Sequence, residues 1–187
     1  MKKDIIYQSQ RKSSSRAQAM VEFAIALPVL LVLLVGIMEV GRMIFIYSAV
    51  INASREAARY GSAVGWDTSG TYHRYKYCAG IANMAKSTAF LIALTNANID
   101  IRYDSGPSDA TYADGHGPDN ATEFNLLTRT CPPATTGEAT VTVASKDRIV
   151  IKITAAYTPV IKLIPIPTRN FVSISSRSIL GTVSVNP

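Results

Sequence analysis

Cysteine, histidine and tryptophan are scarce in this chain, at two, two and one among 187 residues. Cys78 and Cys131 stand far apart, as do His73 and His116, which leaves little material for a zinc cluster. There is no Gly-x-Ser-x-Gly elbow and no phosphate-binding glycine loop. Neither an enzyme activity nor a bound cofactor is expected. Charged residues make up 17% and hydrophobic ones 48%, a balance that excludes a disordered polyampholyte. The net charge of +6 does not point to nucleic acid, because it is concentrated at one end. Residues 1–16 hold Lys2, Lys3, Arg11, Lys12 and Arg16 against Asp4 alone, while the other 171 hold fourteen bases and twelve acids. The excess is a basic tail, not a basic face.

What the chain does have is a long apolar run. Sixteen uncharged residues separate Glu22 from Glu39. A span over 23–41 is about 28 Å of helix, close to the ~30 Å hydrocarbon core of a bilayer. The basic tail precedes it and is expected to stay cytoplasmic, with everything after Arg42 outside. A cleavable signal peptide would need a small-x-small site just past the run. The first tolerable one, Gly61-Ser62-Ala63, comes about twenty residues later, so a retained anchor is the expectation. Pro28 falls inside the run and predicts a kink of the kind transmembrane helices tolerate. No proline occurs from Arg42 to Gly61, so the helix is expected to continue beyond the membrane. There Ala49, Ala53, Ala57 and Gly61 recur every fourth residue, a small-residue stripe that lets another backbone approach closely. It fits a helix lying on its own domain or one packing against neighbouring subunits.

The junction between tail and span carries the most specific signal. Residues 16–23, RAQAMVEF, set a basic leader, a small residue, four intervening residues and then Glu-Phe at the start of an apolar helix. This resembles the processing region of type IV prepilins of the branch that builds Flp (tight-adherence) pili. With GIMEVGRMIF and INASREAARYG following, residues 17–59 resemble the TadE-like pseudopilin family. The resemblance implies a leader cut by a prepilin peptidase between Ala17 and Gln18, leaving Glu22 and Phe23 as the fifth and sixth mature residues. The position before the cut is usually glycine, and alanine is the next smallest side chain. It also implies partners: the membrane, the peptidase, other pilins or pseudopilins and the assembly platform, with no nucleic acid. The implied location is the inner membrane, single-pass, in or at the base of a pilus.

The chemistry of Glu22 agrees with that reading. A carboxylate near the bilayer centre costs ~2.5–3.5 kcal/mol, less near the interface. An amine exposed at Gln18 by cleavage would stand one helical turn away, on this subunit or the next, and would offset the cost while setting axial register. The plainer alternative places Glu22 at the interface near Arg16 or in favourable contact with the helix dipole. Glu39 and Arg42, three apart, are expected to pair at the outer boundary.

Residues 63–187 are expected to form a small pilin-like domain, making the whole an α+β chain: a long N-terminal transmembrane helix (residues 18–62) followed by an antiparallel sheet. An aromatic-rich loop over 65–77 precedes an amphipathic helix over 79–96 and a strand over 97–103. A surface insertion spans 104–137. Residues 139–145 and 148–157 read as a hairpin turning at Lys146-Asp147. Ile149, Ile151, Ile153, Ala155 and Tyr157 share one face of the second strand. Prolines 159, 165 and 167 exclude the next segment from a central strand, and 171–180 is the last strand. Cys78 and Cys131 are expected to form a disulfide in an oxidising compartment.

Three further patterns carry little functional signal. Asp104, Asp109, Asp114 and Asp119 recur every fifth residue, but no register supplies the alternating ligands and final glutamate of a calcium loop. Tyr72, Tyr75 and Tyr77 among basic residues invite nucleic-acid stacking, yet one short run beside an anchor reads better as surface. Two glycosylation sequons, at Asn52 and Asn120, carry little weight. The expected function is a minor pseudopilin or pilus-assembly component. The alternative is an unprocessed, membrane-anchored binding module that uses the 104–137 insertion.

Overall fold

The computed structural model describes residues 11–106, 118, 120–133, 143, 147–160 and 167–180. Two compact units can be recognised, Met1–Arg42 with Pro159–Ile166, and Met43–Thr158 with Pro167–Pro187. Helix α1 (Arg11–Ser62) is 52 residues long and passes through Pro28 without interruption. Arg59 in its last turn faces the partial negative charge of the helix C-terminus. From Arg16 onward it is long and apolar enough to cross a membrane, alone among the helices of the described residues.

The second unit is built on four antiparallel strands. These are β1 (Ile99–Asp104), β2 (Arg129–Thr130), β3 (Arg148–Tyr157) and β4 (Arg169–Ser178), in the order β2-β1-β3-β4. A long apolar helix followed by a four-stranded antiparallel sheet is the α+β architecture expected from the pattern. Ile149, Ile151, Ile153, Ala155 and Tyr157 of β3 are all buried on one face, aligned with Ile99, Ile101 and Tyr103 of β1. Each fully buried isoleucine contributes about 1.5–3 kcal/mol relative to exposure. Residues 43–62 of α1 and helix α2 (Cys78–Thr88) cover this face. Tyr47 meets Phe171 edge-on at 5.8 Å, and the Ser54 and Ser173 hydroxyls lie 2.8 Å apart.

The opposite face has its own small core, which period-two reading of β3 alone does not show. Helix α3 (Ala121–Leu126) sets Phe124 and Leu127 on Val150, with Ile174 beside them. Asn120 caps α3 by accepting from the Thr122 and Glu123 amides at 3.0 Å. Arg102 closes the other end, donating to the carbonyls of Phe124 (3.3 Å), Asn125 (3.3 Å) and Leu127 (2.9 Å). Its guanidinium also stands 4.7 Å over the Phe124 ring, with Lys152 at 4.3 Å.

Several local expectations change. The helix expected over 79–96 ends at Thr88, where the Ser87 and Thr88 hydroxyls both donate back to the Met84 carbonyl. Such back-bonding competes with helix continuation, and the chain turns so that Thr95 and Asn98 can cap the entry to β1. The last strand starts two residues earlier than expected and stops at Ser178. Both edges of β3 are filled, by β1 and β4, so it is not one arm of a hairpin turning at Lys146-Asp147. The run 139–145 lies mostly outside the described residues, as do residues 107–117, 119 and 134–137 of the 104–137 insertion.

Candidate functional site

In the N-terminal part of α1, residues 16–33 are all exposed. Met20 is 76% exposed, Phe23 65%, Ile25 68% and, further on, Ile37 71%. A continuous apolar surface of this kind is unfavourable in water by about 25 cal/mol per Å². It marks a surface meant for lipid or for other helices. Ala17 and Gln18 lie in the helix on the tail side of this surface, both exposed. The Gln18 side-chain amide donates to Glu22 Oε1 at 3.1 Å, one turn along, so the carboxylate already turns toward residue 18.

At the other end of the run Glu39 is 4% exposed, an unusual place for an acid in an apolar helix. Arg42 lies 3.5 Å from Oε2, and the Val160 amide donates to Oε1 at 2.8 Å. The ion pair was legible from the i,i+3 spacing. The amide was not, because it comes from a segment 121 residues later in the chain. Charge-assisted bonds of this type are about twice as strong as neutral ones, which is what a buried carboxylate requires.

The small-residue stripe faces the core of the second unit. Ala53 and Ala57 are fully buried, Ala49 is half-buried, and a Cβ built on Gly61 would come 2.5 Å from Ile149 Cδ1 and 3.2 Å from Ile81 Cδ1. Ala53, Ala57 and Gly61 are thus occupied within their own domain and present no surface to a neighbouring helix. The sequon at Asn52 lies on the same helix, with Ser54 buried against Ser173. Asn120 is committed to capping α3.

Cys78, at the start of α2, and Cys131, just after β2, are bonded as a disulfide with Cα atoms 5.5 Å apart. The bond ties α2 to the edge of the sheet. Between α1 and α2 the chain folds into a tight turn organised by Asp67. Its carboxylate accepts from the Ser69 hydroxyl (2.5 Å) and the Thr71 (2.8 Å) and Tyr72 (3.0 Å) amides. The Ser69 hydroxyl first, with the amides, holds its pKa down to about 2. The turn stacks His73 between Trp66 (4.1 Å) and Tyr75 (5.2 Å), so the aromatics expected in a loop pack on one another. Tyr103 donates to the Tyr75 carbonyl, and burial pushes its phenol well above the usual range.

No group of three metal-ligating side chains exists among the described residues. Asp104, first of the five-residue acidic series, is buried and holds Arg148 Nε at 2.8 Å, a structural pair. Asp109, Asp114, Asp119 and His116 lie outside the described residues.

No curated protein and no solved structure matches the chain. The family model described as TadE-like protein matches residues 17–59, less than a quarter of the length but the whole of the exposed apolar helix and its continuation to Arg59, so this N-terminal segment is TadE-like.

Proposed function

We propose that this chain is a minor pseudopilin, or pilus-assembly component, of a Flp-type (tight-adherence) pilus or a related secretion system. The likeness of residues 17–59 to TadE-like proteins supports a Tad pilus-associated component in the coarse sense. The finer role rests on one observation: a match over 17–59 whose first part, residues 17–33, is a fully exposed apolar helix with one acid, Glu22, near its start. The helix sits in the inner membrane with the basic tail inside and the sheet domain outside. A prepilin peptidase cuts between Ala17 and Gln18, and the new amine replaces the Gln18 amide as the partner of Glu22, in this subunit or the next. The role is not enzymatic.

The test is the mass of the N-terminal peptide of the full chain from membranes with and without active cognate prepilin peptidase. A chain starting at Gln18 only when the peptidase is active is the expected result. A start at or near Met1 in both cases refutes processing and leaves an anchored binding module. If processing occurs, Glu22→Gln should insert and be cut normally but fail to enter filaments.

A further inference from the structure

The second unit carries a cleft of about 500 Å³ between the C-terminal part of α1, α2 and β4. Arg55, Glu56 and Arg59 line it from α1, Met84 and Thr88 from α2, and Arg177 from β4. Three guanidiniums thus face one carboxylate. Glu56 is bound to Arg59 at 2.7 Å, which leaves Arg55 and Arg177 exposed and without a hydrogen-bond or ion-pair partner among the described residues. Arginines on two different elements converging on one cleft suit recognition of carboxylates, which guanidinium forks bind in bidentate fashion. A cleft of this volume takes several side chains of a peptide segment.

The chain itself holds a matching charge pattern. From Asp104 to Thr128 there are five acids and no lysine or arginine. Asp104 is taken by Arg148 and Glu123 by the Asn120 cap, so Asp109, Asp114 and Asp119 are the acids that remain. The register places the end of β1, where the acidic stretch begins, near the cleft. Tyr103, Ile149 and Arg177 lie in line across β1, β3 and β4, so the acidic segment leaves the sheet about 10 Å, two strand spacings, from Arg177.

We propose that the cleft is a homotypic docking site that receives the 107–119 acidic segment of a second copy of this chain. Because β1 leads into the segment at the end of the sheet where Arg177 lies, a two-fold arrangement lets both pairs form at once, segment to cleft in each direction. That is the isologous geometry of a closed dimer. A single-pass anchor raises the effective concentration of copies in one plane and one orientation. This last point rests on the membrane reading; the charge match does not.

The experiment is energy transfer between fluorescently labelled full-length copies, reconstituted at low density in neutral phosphatidylcholine vesicles. Three proteins are compared: wild type, Arg55→Glu/Arg177→Glu, and Asp109→Lys/Asp114→Lys/Asp119→Lys. Wild type should associate at low salt and dissociate as the Debye length shrinks. Each reversed protein alone should associate at least about tenfold more weakly. Mixed, the two should recover to within about threefold of wild type, because both interfaces become complementary again. Association of the arginine-reversed protein at wild-type strength overturns the proposal, and so does a mixture that fails to recover. Arg55→Gln/Arg177→Gln, which removes charge without reversing it, supplies the same reading if the reversed protein folds poorly. None of these outcomes depends on leader cleavage, so the pseudopilin reading and this one fail separately.

Discussion

Gly61 is where helix propensity and packing pull in opposite directions, so Gly61→Ala is a sharp test of the close approach between α1 and the sheet. In an exposed helix interior the change stabilises by about 0.5–1 kcal/mol. Gly61 lies in the last turn of α1, so less of that gain applies. Against it, the new Cβ would sit 2.5 Å from Ile149 Cδ1, well inside the ~3.5–4.0 Å of ordinary carbon contact. Ile81 Cδ1 and Cγ1 also crowd the new atom at 3.2 and 3.3 Å, and both isoleucines are fully buried, so neither side chain can swing out into solvent. Overpacking of this kind costs about 1–3 kcal/mol. The net expectation is a loss of about 0.5–2 kcal/mol, or ~2–4 °C of melting temperature per kcal/mol for a chain of this size. Circular dichroism of the full chain in detergent would read it. Ile149→Val removes the clashing methyl; alone it should cost about 0.5–1.5 kcal/mol. In the Gly61→Ala background it should cost clearly less, a coupling of at least ~0.5 kcal/mol. A stabilised Gly61→Ala protein, or strict additivity with Ile149→Val, would refute the contact.

Three other outcomes follow from the same packing and bonding. Breaking the Cys78–Cys131 bond, which closes a separation of 53 residues, should lower stability by about 4 kcal/mol in the chain-entropy account, read as a large drop in melting temperature under reductant. Asp67 has a folded pKa of about 2, below the ~3.9 of an unfolded aspartate, so its contribution is fully present above pH 4 and is lost as pH falls through 2. Asp67→Asn should speed hydrogen exchange at the Thr71 and Tyr72 amides at pH 5–8, where the wild type shows no pH trend of its own from this group. Arg102→Lys should destabilise α3 by about 1–2 kcal/mol, because an ammonium cannot reach three carbonyls and the Phe124 face together. The readout is faster exchange within 121–127, and protection equal to wild type would contradict the capping role.

The long apolar helix was fully legible because it depends on local quantities: sixteen uncharged residues in a row need no partner to declare themselves. The alternation of β3 was legible for the same reason. The neighbours of β3 were not. Proximity in sequence suggested a hairpin with 139–145, whereas the sheet pairs β3 with β1, more than forty residues earlier, and β4. The end of α2 was misread because the apolar spacing continues past Thr88, while backbone competition from Ser87 and Thr88 and the cap at Thr95 decide where the helix stops.

By itself, then, the sequence determined what periodicity, charge and a short motif can carry: an apolar helix with a basic approach, Glu22 at its start, the TadE-like junction and a sheet-forming C-terminal half. Only the tertiary structure decided which long-range partners those elements take. It turned the Ala53–Ala57–Gly61 stripe inward onto Ile149 and Ile81, brought the Val160 amide to Glu39, and gathered Arg55, Arg59 and Arg177 around one cleft. The reason is physical. A helix or strand declares its apolar face through local spacing, but which surface covers that face depends on contacts between residues a hundred positions apart, and single-sequence periodicity holds no term for them.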